Sequence, residues 1–149
     1  MFSPFQLCVT NFKTQKEMRT IEKNKNLGNL LLRTLVAGLL MLHGFGNLLS
    51  GYAFIKSVMA QSGLPEFLAY GAFIGEILAP IFIIIGYQER IASLFVATTM
   101  LMAIFTAHVG EIFALNQFGG WAIELQAFYL VGAIVIFFNG AGDYVLRKK

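Results

Sequence analysis

Between Phe67 and Tyr87 the chain carries a single charged side chain, Glu76, and Pro80 follows it four residues later. A helix of that length crosses the roughly 30 Å hydrocarbon core of a bilayer. A carboxylate in its middle costs roughly 3 kcal/mol on insertion scales unless protein or water receives it. Pro80 has no N–H, so the carbonyl of Glu76 loses its helical partner and, inside a membrane, needs another donor. The rest of the chain is read as the housing for this segment.

Three further apolar runs accompany it. Leu27–Leu49 is long enough to span, at about 34 Å as a helix. Ile91–Val109 reaches about 28 Å, and Trp121–Phe138 forms a fourth run. Charged residues make up 13% of the chain and hydrophobic ones 57%, an excess of apolar surface that a small soluble domain could not bury. The expected fold is an all-α membrane protein, a bundle of four transmembrane helices. Between the first two runs, Phe54, Ile55, Val58 and Met59 share one helical face, which predicts a short helix lying in the interface. Gly63 ends that helix, and Pro65 with Glu66 opens the next.

Residues 1–26 read as a polar, cytoplasmic, disordered tail, with Met18 an in-frame alternative to Met1 as the start. The membrane domain is expected over 27–144 (spans 27–49, 67–87, 91–109 and 121–138), and 145–149 form a basic C-terminal tail. Four spans put both termini on one side, together with Lys13, Lys16, Arg19, Lys23, Lys25, Arg90 and the three C-terminal cations; the other side has only Lys56. The positive-inside rule then places both termini in the cytoplasm. That distribution of charge argues for topology rather than for nucleic-acid binding. Cys8 is the only cysteine, which rules out an intramolecular disulfide or a CxxC redox pair within the chain.

Depth, counted at about 1.5 Å per residue, brings four ionisable groups from four helices into the outer half of the bundle: His43, Glu76, His108 and Glu124, with Gln126 beside the last. Such groups normally face protein or water and pair with one another, so they are expected to converge on the bundle axis and to bind a ligand or handle protons. Structural roles stand beside that reading: the histidines as partners fixing helix register, Glu124 as a solvated surface group. Arg33, nearer the cytoplasmic end, is expected to snorkel to the inner headgroups. Gly71 and Gly75, one turn apart, are expected to let a neighbouring helix approach closely. A two-His, two-Glu metal site is geometrically imaginable, but the helices lack His/Glu pairs at i,i+4 spacing and give it weak support, and no metal is expected.

The same residues form an ordered pattern. His43-Gly44 closes the first helix, Gly63-Leu64-Pro65 opens the second, and Glu76 lies within it. Gly86 and Arg90 mark the next turn, and Met100 and Ala103 precede His108. Gly119-Gly120-Trp121 and Glu124-Leu125-Gln126 open the last helix, which Gly140-Ala141-Gly142 ends. From about Leu30 to Tyr144 the chain resembles the DoxX family of small four-helix bacterial membrane proteins. It departs from that pattern at Asn47, where a lysine is frequent, and at Val145, Leu146 and Arg147, which replace a frequent Ser-Leu-Asp ending. The resemblance implies a multi-pass protein of the bacterial inner membrane. It also implies, through the thiosulfate:quinone oxidoreductase that gives the family its name, a link to redox enzymes.

Three functions follow as expectations. The first is a subunit of a redox system that binds quinone or a similar lipophilic ligand at the Glu/His cluster. It would draw electrons from a partner enzyme, because the chain has no flavin, haem or nicotinamide motif. The second is a small proton-coupled transporter or permease, and the third a non-catalytic membrane scaffold. The bilayer is the expected surrounding, and a redox-enzyme partner or a homo-oligomer the expected assembly.

Overall fold

A computed structural model describes residues 4–146 of the chain, with side chains described at residue 15 and from residue 17 onward. Cys8 and the basic residues 147–149 lie outside what is described of side chains or backbone, so the expectations placed on them stay as stated. The described residues are helical throughout, apart from turns and one isolated bridge between Leu115 and Trp121.

Five helices make the fold: α1 (Pro4–Leu49), α2 (Ala53–Gln61), α3 (Glu66–Ile85), α4 (Glu89–Ala107) and α5 (Glu124–Asn139). Three of them contain stretches long and apolar enough to cross a membrane: Glu17–Leu49 of α1, Glu66–Ile85 and Glu89–Ala107. The fourth apolar helix, α5, is shorter, at 16 residues. It packs along α4 more extensively than any other pair of helices does. The expected start of this last helix at Trp121 moves to Glu124 because Trp121–Ile123 close the preceding loop instead.

Where composition predicts a disordered tail, residues 4–26 are helical and continuous with the first span. No glycine or proline interrupts the chain between Pro4 and Gly28, and the Lys, Glu, Gln and Arg residues of that stretch are good helix formers. The composite α3 is less regular. It begins as a 3-10 turn over Glu66–Tyr70 and widens to a π turn over Ile74–Leu78. The amide of Ala79 reaches back to the carbonyl of Ile74, five residues away. The π turn ends where Pro80 has no amide to give, so the proline that threatened to break the helix is absorbed by a wider turn.

The core lies on the shared axis of the four long helices. Val36 and Leu40 of α1 meet Ile83 of α3, Val96 and Met100 of α4, and Ala133 and Ile136 of α5. The outer faces are as apolar as the core: Leu42 is 70% exposed and Phe138 74%. Large side chains on both sides of one helical shell are what a lipid solvent permits and water does not.

Candidate functional site

Glu76 sits in the π turn on the buried side of α3, only 5% exposed. Helix α1 is laid directly against it through Gly44. A β-carbon built at residue 44 would come 2.7 Å from the Glu76 carbonyl oxygen and 2.8 Å from its Cβ. The carbonyl left without a proline amide is therefore met by the one residue type that leaves room for it. One turn of α1 separates His43 from Asn47, so both rise on the same side of the helix. Asn47 Nδ2 donates to Glu76 Oε2 at 2.8 Å.

At the end of α4, His108 takes two partners. Its Nδ1 lies 2.7 Å from Glu111 Oε2, and its Nε2 3.1 Å from Gln126 Nε2 on α5. A carboxylate only accepts, so in the neutral ring Nδ1 carries the proton and Nε2 accepts from the Gln126 amide. The opposite end of that amide, Gln126 Oε1, is buried with no partner among the described residues.

These groups share one cavity of about 360 Å³, within the size range of small-molecule sites. His43, Asn47, Glu76, His108 and Gln126 line it, and the remaining walls are mostly apolar. Short helix α2 supplies one wall of the cavity, through Phe54, Ile55, Val58 and Met59. It is held there by Lys56, whose Nζ stands 4.8 Å from the centre of the Tyr70 ring, and by Tyr52 packed edge-on against the same ring. The Tyr52 hydroxyl is buried without a hydrogen-bond partner among the described residues. Its burial, and secondarily the nearby Glu76 carboxylate, hold the phenol above its ordinary pKa. Thr98, Thr99 and Thr106 of α4 complete the polar lining. Each spends its hydroxyl proton on a carbonyl one turn earlier in its own helix, leaving lone pairs for the cavity.

Of the residues expected from sequence, the structure thus brings together His43, Glu76, His108 and Gln126 and leaves Glu124 out. Glu124 opens α5 as an exposed first-turn carboxylate, where it complements the helix dipole, with its Oε2 beside Gly120. Gly75 meets Thr99 of α4 as closely as anticipated, while Gly71 has open space around its Cα and borders the cavity. Arg33 does not snorkel. It is 1% exposed and donates through Nη1 to the Ala141 carbonyl at 3.1 Å and through Nη2 to that of Tyr144. Residues 140–144 bend back over this end of the bundle, where Asn29 also donates to Gly140 and the Ala141 amide donates to Glu89 Oε1 at 3.2 Å. Pro80 is buried in the core beneath the π turn.

Asn47 and the threonines were not anticipated, nor was Tyr129, which also lines the cavity. The signal for Asn47 was its position one turn after His43; for Thr98 and Thr106 it was their two-turn spacing on one face of α4. Among the described residues no group of three His, Cys, Asp or Glu side chains is placed to hold a metal ion.

The family model for DoxX matches residues 28–109, just over half of the chain. That interval begins in α1 and ends just past His108, taking in His43, Gly44, Asn47 and Glu76; Gln126 and the 140–142 turn lie beyond it. Neither a search of curated proteins nor one of solved structures returns a match. Helices of membrane-spanning length and a family match over the segment that builds the Glu76 site agree: this chain belongs to the DoxX family.

Proposed function

We propose that this chain is an integral subunit of a bacterial inner-membrane redox system, with both termini cytoplasmic, four spans, and a quinone or similar amphipathic ligand bound in the cavity beside Glu76. One observation carries the reading. Polar groups from α1, α3, α5 and the end of α4 line a single cavity whose other walls are apolar. The donor set fits a ring bearing oxygen atoms. The second amide hydrogens of Asn47 and Gln126 and the imidazole of His43 donate, while Glu76 and the threonine oxygens accept. A quinone held there would supply two-electron, two-proton redox chemistry. The protein's part is to hold the ring oxygens, exclude bulk water and keep proton-exchanging groups beside them. The charge asymmetry between the two ends supports the orientation, with Lys56 the only cation at the end that carries the cavity.

The test is direct. Protein solubilised in mild detergent is extracted and also examined by native mass spectrometry for a bound quinone, then titrated with a soluble benzoquinone analogue. Wild type is expected to carry or take up the ring, and Glu76→Gln to weaken the uptake about tenfold. Absence of bound quinone together with unchanged analogue binding in Glu76→Gln would sink the proposal.

A further inference from the structure

A second hollow adjoins the first. Between α3 and α4 a groove of about 300 Å³ runs along the outer surface of the bundle. The groove and the cavity share two wall residues, Ile74 of α3 and Phe95 of α4. Its walls follow from the helical repeat. Ile74, Leu78 and Phe82 stand one turn apart on α3, facing Ile91 and Phe95 on the antiparallel α4. The floor is made by Ala79 and Ala92, 2% and 4% exposed, and a larger side chain at either position would fill the hollow. The far end closes at the α3–α4 turn, where Tyr87 packs against Phe82 with ring centres 5.9 Å apart. From Ile74 to that turn the groove runs roughly 15–20 Å at the helical rise, the length of an extended chain of about fifteen carbons.

The contrast in lining matters. All the titratable side chains of the combined space, apart from Tyr87, lie in the cavity; the groove is otherwise lined by apolar residues and Gln88. A soluble solute would have no use for the second part. We infer that the two hollows take one molecule: a polar ring in the cavity and a single long apolar tail laid in the α3–α4 groove, reached sideways from the lipid past Ile74 and Phe95. This rests on the ligand reading proposed above and narrows its class to membrane-resident amphiphiles with one hydrocarbon or isoprenoid tail. Gly71, Ile74 and Phe95 would form the gate between head and tail.

The experiment uses the full chain in phosphatidylcholine nanodiscs and two photoreactive benzoquinones with the same saturated tail of about fifteen carbons. One carries a diazirine on the first tail carbon, the other on the last, and labelled peptides are mapped by mass spectrometry. The ring-side probe should mark the cavity walls on α2 and α4. The tail-end probe should mark residues 82–91 several-fold above the lipid-facing sides of α1 and α5, and excess unlabelled quinone should compete with both. Ala92→Leu should abolish the tail-end signal and keep the ring-side one; Ile91→Trp, on the exposed rim, serves the same purpose if the floor variant does not fold. Ring-side labelling in the cavity with tail-end labelling spread evenly over every helix would overturn the groove while leaving the ring site standing. Loss of competable ring-side labelling would overturn the ligand reading itself, and the groove with it.

Discussion

Gly44 of α1 lies against the backbone carbonyl of Glu76 so closely that a β-carbon at residue 44 would stand 2.7 Å from that oxygen and 2.9 Å from Cγ1 of Ile77. The contact is between helices, and the obstructing atoms include backbone, which cannot swing aside as a side chain tip does. It also fixes the height at which Asn47, one turn further along α1, meets the Glu76 carboxylate.

Gly44→Ala should therefore push α1 away from the π turn. The expected cost is about 1–3 kcal/mol, typical of overpacking, seen as a lower unfolding temperature in detergent. Gly46→Ala is the control, since nothing lies within 4 Å of a β-carbon there; it should melt like wild type.

The two glycines of α3 should part company. At Gly75 a β-carbon would lie 2.0 Å from Thr99 Oγ1 and 2.7 Å from its Cβ, so Gly75→Ala must separate α3 from α4. At Gly71 the space is open and the backbone is right-handed helical, φ −60°. Gly71→Ala should leave the melting temperature unchanged or slightly raised by helix propensity, and Gly75→Ala should lower it by several degrees.

What could be read from the residues alone follows the physics of each signal. Three of the expected spans were legible because lipid demands long apolar runs, and Glu76 because a lone carboxylate in one of them is conspicuous. Depth counting found His43 and His108 because the rise per residue is fixed. It could not say which way a side chain points around its helix, and so it grouped Glu124 with the cavity residues when that carboxylate faces outwards. Arg33 was misread for the same reason. Snorkelling assumes the nearest polar partner is a headgroup, whereas residues 140–144 fold back to supply carbonyls. The π turn was half visible: Pro80 announces a missing hydrogen bond, but not how the helix accommodates it.

Arg33 should therefore act as a latch for the C-terminal segment rather than as part of the ligand site. Arg33→Met removes both donors to Ala141 and Tyr144 and leaves the buried Ala141 carbonyl unpaired, at about 1–3 kcal/mol. Hydrogen exchange of residues 140–146 should rise markedly in this variant. Quinone-analogue binding, at the other end of the bundle, should stay within twofold of wild type. Arg33→Lys should recover only part of the protection, because one ammonium cannot reproduce the guanidinium's spread of donors.

Asn47 gives the sharpest test of how Glu76 is held. Its Nδ2 is the only side-chain donor bonded to the Glu76 carboxylate among the described residues, at 2.8 Å. Asn47→Leu keeps much of the volume but leaves a buried carboxylate without its donor, which costs about 1–3 kcal/mol. Asn47→Asp is harsher, because it removes the donor and places a second carboxyl acceptor against the first. Asn47→Lys, which restores the residue frequent in the family's pattern, keeps a donor and adds an opposite charge. The expected order of melting temperatures in detergent is wild type and Asn47→Lys highest, then Asn47→Leu, then Asn47→Asp. An Asn47→Asp protein as stable as wild type would show that residue 47 does not hold the Glu76 carboxylate.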